Sequence, residues 1–125
     1  MKIETSGMKD LALAWAVAQC EGYRGVESLT KPDPLDDGAL EHRWLRDYSP
    51  STNWAHGGPI IEREGVSVER VTSALWDAYL IREDKKYGGI ERIEADGPTP
   101  LIAAMRCYVA SRLGDEVEVP DALCE

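Results

Sequence analysis

The apolar positions of this chain gather into two dense runs near its ends, with shorter, more mixed stretches between them. In the first run, residues 8–21, Met8, Leu11, Trp15 and Ala18 share one helical face, and Leu13, Val17 and Cys20 share another. Ser6 is placed to act as the N-cap and Gly22 as the left-handed residue that ends the helix. Charge is confined to the two ends. A helix that is apolar nearly all round has to be covered on more than one side, so the pattern predicts a central core helix rather than a partner-binding one. The second run is the clearest element. Thr99 caps it, Pro100 takes the first helical position, Arg112 sits near the negative end of the dipole and Gly114 follows the last turn. Leu101, Ile102, Met105, Tyr108, Val109 and Leu113 make a broad core stripe, whereas Ala103, Ala104, Cys107, Ala110 and Ser111 make a small-residue face. Another backbone is expected on that small face: the first helix, or a second copy of the chain in a homodimer through Ala103, Cys107 and Ala110.

Between the runs the pattern is weaker. Residues 23–38 hold two Gly, two Pro and three Asp, which predicts a loop or irregular insertion, and 41–47 suits a short strand. Residues 48–59 read as a long ordered loop, because small polar residues alternate with Pro50, Gly57, Gly58 and Pro59. A strand is expected over 60–65, ending at Gly65 and placing Glu62 and Glu64 on one face with Arg63 on the other. Residues 66–82 fit two periods. Val66 and Val68, then Trp76, Ala78 and Leu80, alternate with polar residues as in strands, yet Val68, Val71, Leu75 and Tyr79 also fit a helix capped by Ser67. Pattern alone leans slightly to helix. Residues 90–93 are a short, weakly patterned run, and 115–119 alternate like an edge strand stopped by Pro120.

Composition narrows the function classes. The 125 residues carry 14 Lys and Arg against 23 Asp and Glu, a net charge of −9. A nucleic-acid surface and a lipid-bound helix both need clustered basic residues, so neither partner is expected. With both terminal helices nearly free of charge in their middles, the acidity is expected in loops, edges and tail: Asp33, Asp36 and Asp37, Glu62 and Glu64, and Asp115, Glu116, Glu118, Asp121 and Glu125. Such a surface would act as a unit only if these clusters converged on one side. Hydrophobic residues make up 43% of the chain, enough for a core. The first residues carry no apolar signal core, and the most apolar stretch, residues 11–20, is too short to span a bilayer. Cys20, Cys107 and Cys124 form an odd set without metal-ligand spacing, which suits reduced thiols in a cytoplasm and neither disulfides nor zinc.

No catalytic template is met: there is no G-x-S-x-G elbow, phosphate-binding loop, H-E-x-x-H or dinucleotide fingerprint. The two histidines, His42 and His56, have no supporting ligand spacing, so no metal and no cofactor are expected. The best candidate for function is the 48–59 segment. Ser51, Thr52, Asn53, Trp54, His56, Gly57 and Gly58 combine hydroxyls, an amide, an indole, an imidazole and a flexible backbone. That set can stack a planar ring and hydrogen-bond a phosphate or ribose without net positive charge. The competing reading puts Trp54 in the core and uses the hydroxyls as turn caps.

Three segments resemble the NinX family of bacteriophage proteins. They are residues 1–6 with 13–22 (LAWAVAQCEG), residues 48–65 (YSPSTNWAHGGPIIEREG) and residues 97–120 (GPTPLIAAMRCYVASRLGDEVEVP), somewhat under half the chain. Residues 23–47 and most of 71–95 depart from the resemblance. Within the latter, Trp76-Asp77-Ala78 matches a W-x-A pattern that the family carries in a strand, which implies a strand pair over 66–82. The resemblance also implies phage origin and action in the cytoplasm of the bacterial host. It supplies no reaction and no catalytic residues. Taken together, the expectation is a single small α+β domain, with N-terminal and C-terminal helices packed on a small, mostly antiparallel sheet. Its element order superficially resembles a double-stranded-RNA-binding fold, a function that the acidic balance opposes. The expected function is a non-enzymatic accessory protein that binds a host protein, with counter-defence as one use of that binding; the alternative is a small-molecule, nucleotide-like binder using the 48–59 segment.

Overall fold

A computed structural model of the chain describes residues 1–22 and 48–123. The expected insertion at 23–38, the strand at 41–47, His42, Cys124 and the acidic residues Asp33, Asp36, Asp37 and Glu125 lie outside them. The described residues form an α+β fold of three helices and two antiparallel sheets. Strand β1 (Lys2–Glu4) pairs with β5 (Glu116–Glu118), while β2 (Ser67–Thr72), β3 (Leu75–Glu83) and β4 (Ile90–Gly97) form a three-stranded meander. The helices are α1 (Asp10–Glu21), α2 (Trp54–Glu64) and α3 (Pro100–Leu113).

Helix α3 is the centre of the molecule. Thr99 Oγ1 accepts from the Ile102 amide at 3.1 Å, Pro100 opens the helix, and the Gly114 amide donates to Ala110 O. Leu101, Met105, Tyr108 and Val109 are buried, but so are Ala103, Ala104, Cys107 and Ser111 on the small face, and Leu113 is 39% exposed. At Ala103 and Cys107 the backbone that approaches the small face is that of β4. Cys107 Sγ donates to Ile93 O at 3.3 Å. A Cβ on Gly97, the last residue of β4, would lie 2.9 Å from the Ala103 amide nitrogen. A homodimer through Ala103 and Cys107 would therefore have to displace β4, although Ala110 remains half-buried.

Helix α1 packs against α3 and is buried on most sides, through Ala12, Leu13, Ala14, Ala16, Val17 and Ala18. Gly22 closes it in the left-handed conformation, φ 78°, as its position predicts. The start differs from expectation. Ser6 lies in a short 3₁₀ turn (Thr5–Gly7), and Lys9 is the N-cap, with no side-chain capping bond. Arg106 of α3 secures this junction: Nε donates to Met8 O at 2.8 Å and an Nη to Asp96 O at 3.0 Å.

The largest departure is α2. The expected loop over 48–59 and strand over 60–65 are instead a turn followed by an 11-residue helix. Asn53 Oδ1 accepts from the Ala55 amide at 2.9 Å, and Gly65, φ 69°, ends the helix. Gly57, Gly58 and Pro59 all disfavour a helix interior. Tertiary packing overrides them: a Cβ on Gly57 would collide with the Pro50 carbonyl oxygen and lie 2.7 Å from Leu101 Cδ2. Glycine is what lets α2 sit this close to the turn before it and to the start of α3. Residues 66–82 form the strand pair that the family resemblance implied. Among the described residues, no helix is long and apolar enough to cross a membrane.

Candidate functional site

Strand alternation gives the meander two unlike faces. Val68, Ala78 and Ala95 form one cross-strand row toward α3, and Leu80 pairs with Ile93 in the next. The opposite face carries Glu69, Asp77 and Asp96 in a single row, since Glu69 faces Asp77 and Asp77 faces Asp96. All three are exposed. Like charges directly opposite across strands destabilise a sheet, by roughly 0.2–1 kcal/mol per pair. The neighbouring row holds Ser67, Tyr79 and Glu94, and the Arg92 guanidinium lies 3.9 Å from the Tyr79 ring centre while pairing with Glu94.

This acidic face continues past the edge of the meander. A cleft of about 300 Å³ is lined by Glu69, Asp77, Tyr79, Arg92, Glu94 and Asp96, with Ser6 at its rim. A second, of about 180 Å³, shares Ser6 and Glu94 and adds Glu4, Asp115 and Glu116. Glu4 and Glu116 are themselves register partners between β1 and β5. Seven carboxylates thus line two adjoining clefts, and Arg92 is the cation among the lining residues. Among the described residues, only Glu94 of the seven has an ion-pair partner. No three His, Cys, Asp or Glu side chains of the described residues converge closely enough to hold a metal ion.

Other carboxylates are neutralised. Where the C-terminal ends of the three helices meet, the Arg63 guanidinium clamps Glu21 with two bonds of 3.0 and 2.6 Å and reaches Glu64 at 2.8 Å. Tyr108 Oη donates to Glu21 Oε2 at 2.5 Å, and Arg112 bonds Glu64 at 3.0 Å. Burial pushes the Glu21 carboxyl up, but the hydrogen bonds from Arg63 and Tyr108 outweigh it and hold the carboxyl below its usual range. Glu64 follows the same balance, with Arg63 and Arg112 prevailing over burial. Burial, then the Glu21 hydrogen bond, raise the Tyr108 phenol above its ordinary value. Burial lifts the Cys20 thiol to about 12 and the Cys107 thiol to about 11, so neither is an activated nucleophile. Since α2 is a helix, the expected strand face shared by Glu62 and Glu64 does not exist: Glu62 is exposed and Glu64 belongs to this cluster. Glu118 and Asp121 are likewise paired, with the Met1 amine at 2.9 and 3.0 Å.

The seven residues singled out in the 48–59 segment divide. Asn53 is the helix cap and Gly57 a packing contact. His56 Nδ1 accepts from the Ser49 amide at 3.0 Å, and its ring stacks on Tyr48 with centroids 5.5 Å apart. Gly58 sits beside the Trp54 ring, 4.0 Å from where its Cβ would be. Ser51, Thr52 and Trp54 do come together, with Thr99, Pro100 and Leu101, around a cleft of about 250 Å³. Trp54 is not core: it is 55% exposed. What sequence reasoning missed was the carboxylate row. Under the strand reading, Glu69 beside Val68 and Asp77 beside Ala78 already point outward; Asp96 joins them only through the β3–β4 register.

Similarity to a known family extends over most of the chain. No curated protein matches the chain. A family model described as "Bacteriophage P22, NinX" matches residues 4–112, reaching from the acidic residue at the end of β1 through the meander to the last turn of α3, and the chain belongs to this family.

Proposed function

We propose that the chain is a non-enzymatic phage accessory protein that acts in the host cytoplasm by binding a basic surface of a host protein through its outer sheet face. The observation that carries this reading is the row Glu69–Asp77–Asp96, continued by Glu94, Glu4, Asp115 and Glu116. Clustered, unneutralised carboxylates lower the stability of a sheet, and a partner rich in Arg and Lys would relieve that repulsion on docking. The same field would speed encounter with a basic surface at low ionic strength and repel nucleic acid and anionic membranes. Interference with a host defence is one outcome such binding would serve.

The test is capture of host proteins from bacterial lysate on the tagged chain, followed by direct binding of the purified partner. The expected partner carries a basic patch, and its association rate falls steeply between about 0.05 and about 0.5 M salt. The variant Glu69→Gln/Asp77→Asn/Asp96→Asn should lose most of that rate. A partner bound equally well by this variant, with no salt dependence, would sink the proposal.

A further inference from the structure

The outer face of the meander is not acidic throughout. Beyond the carboxylate row it turns apolar toward the β3–β4 turn: Tyr79 opposes Glu94, Ile81 opposes Arg92, and Glu83 opposes Ile90. Ile81 and Ile90 are 56% and 76% exposed, and as diagonal neighbours they lie about 7–8 Å apart. Their exposure does not come from a frayed end. Asp84 Oδ1 accepts from the Lys86 and Tyr87 amides at 3.0 and 3.2 Å, and the Asp84 amide donates to Gly89 O at 3.0 Å, which closes the turn. Carboxylates bound the apolar run at both ends, Glu69–Asp77–Asp96 at one and Glu83 at the other. Arg92, the cation between them, is engaged by Tyr79 and Glu94.

The inner face shows what such a sheet accommodates. Helix α3 alone packs against all three strands there. Three strands about 4.8 Å apart make a face about as wide as one helix, roughly 10–12 Å across. From Asp77 to Glu83 the strand runs about 20 Å, the length of about 13 residues of helix. The flanking charge then selects the occupant. A second copy of a chain with net charge −9 would set like carboxylates against these. A neutral apolar helix would strip water from the flanking carboxylates and offer them no partner. A helix with an apolar stripe and Lys or Arg along its margins answers both parts of the surface.

We infer that the outer face takes one amphipathic helix of a basic protein partner, with its apolar stripe on Tyr79, Ile81 and Ile90 and its cations on the flanking carboxylates. This rests on the reading of the acidic face given above and adds a second contact to it. The carboxylates set the rate of encounter, and the isoleucines set the lifetime of the complex. The test is an amide NMR titration of the full chain, with rates by stopped flow, against synthetic peptides of about 18 residues. One carries Leu at helical spacing with Lys between; the others are the same composition with its Leu scattered, oligolysine, and the Leu stripe with Gln in place of Lys.

The expected result is saturable movement of residues 77–83 and 90–96 with the striped Leu/Lys peptide, bound at least about tenfold more tightly than the other three. Ile81→Thr/Ile90→Thr, which keeps β-branched side chains in the strands, should speed dissociation about tenfold and leave the association rate and its salt dependence unchanged. Asp77→Asn/Asp96→Asn should instead slow association. Oligolysine or the scattered peptide bound as tightly as the stripe, or an isoleucine variant that dissociates no faster, would overturn the helix while the acidic reading stands. A Leu/Gln stripe bound as tightly as the Leu/Lys one would overturn both. Absence of saturable binding by the striped peptide, or shifts centred outside residues 77–96, would overturn the inference too. So would concentration-dependent shifts of the free chain at these residues that the isoleucine variant abolishes, in favour of a second copy. The comparison of peptides on the unaltered chain decides the matter even if a variant fails to fold.

Discussion

The chain treats its carboxylates in two opposite ways. At the meeting of the helix ends, Glu21 and Glu64 are 12% and 17% exposed and bonded by Arg63, Arg112 and Tyr108. On the outer sheet face, Glu69, Asp77 and Asp96 stand in open solvent, opposite one another and without a counter-ion among the described residues. The first arrangement ties the ends of α1, α2 and α3 together. The second leaves charge unspent on the fold. Net charge therefore says little about where acidity acts: the acids that sequence position marked as surplus include Glu64, Glu118 and Asp121, all of which are paired.

The sharpest way to break the contrast is to remove one acid from each region. Glu21→Ala leaves Arg63 and the Tyr108 hydroxyl without their shared acceptor at a mostly buried position. It should cost about 2–3 kcal/mol, read as a drop in the urea midpoint at constant m. Asp77→Ala, by contrast, should leave the midpoint unchanged or raise it by a few tenths of a kcal/mol, roughly the repulsion it relieves. If both substitutions destabilise equally, the two regions are not different in kind.

The regions were not equally legible. Helix α3 announces itself through Thr99, Pro100 and Gly114, because local capping chemistry and a long apolar run agree. Helix α2 does not. Gly57, Gly58 and Pro59 carry turn chemistry, and only contacts with Pro50 and Leu101, distant or hidden in sequence, make a helix the better state. Asn53 and Gly65 were the available signals, one a cap and one a stop, but both also serve loops and strand ends. With α2 misread, the Arg63–Glu64 part of the helix-end cluster could not be seen, and its link to Glu21 and Tyr108 needs the tertiary fold in any case. The acidic row fails for another reason: 66–82 supports two periods, and β4 has too few apolar positions to fix its own register. Of the 48–59 residues, composition singled out Ser51, Thr52 and Trp54, which line a cleft with the start of α3. It could not tell those from Asn53, His56 and Gly57, which have the right chemistry but are used by the backbone.

Acid titration separates the regions next. The folded-state pKa values of Glu21 and Glu64 are depressed, so the stability they contribute is present above the unfolded carboxyl value, near about 4.3, and is lost as pH falls through the lower folded value. Unfolding midpoints should therefore decline below about pH 5, and Glu21→Gln/Glu64→Gln should flatten that decline. Tyr108 gives the mirror image. Its raised pKa means stability present below the unfolded phenol value, near about 10, and lost as pH rises through the folded one. A profile that Glu21→Gln/Glu64→Gln leaves unaltered would show that the helix-end cluster is not what acid dissolves.

A substitution on the acidic face itself is the most discriminating, because stability and binding should move in opposite directions. Arg92 stacks on Tyr79 and is the cation among the residues lining the two acidic clefts. Arg92→Ala removes an exposed cation–π contact and a surface ion pair with Glu94, which should lower stability by about 0.5–1 kcal/mol. It also makes the face one charge more negative, so the association rate of a basic partner should rise at low salt and converge on the wild-type rate as salt is added. Arg63→Ala makes the same change in net charge at the helix-end cluster, with a larger loss of stability and no comparable gain in rate. If the two arginines instead raise the rate alike, total charge governs encounter, and the carboxylate row has no special part in it.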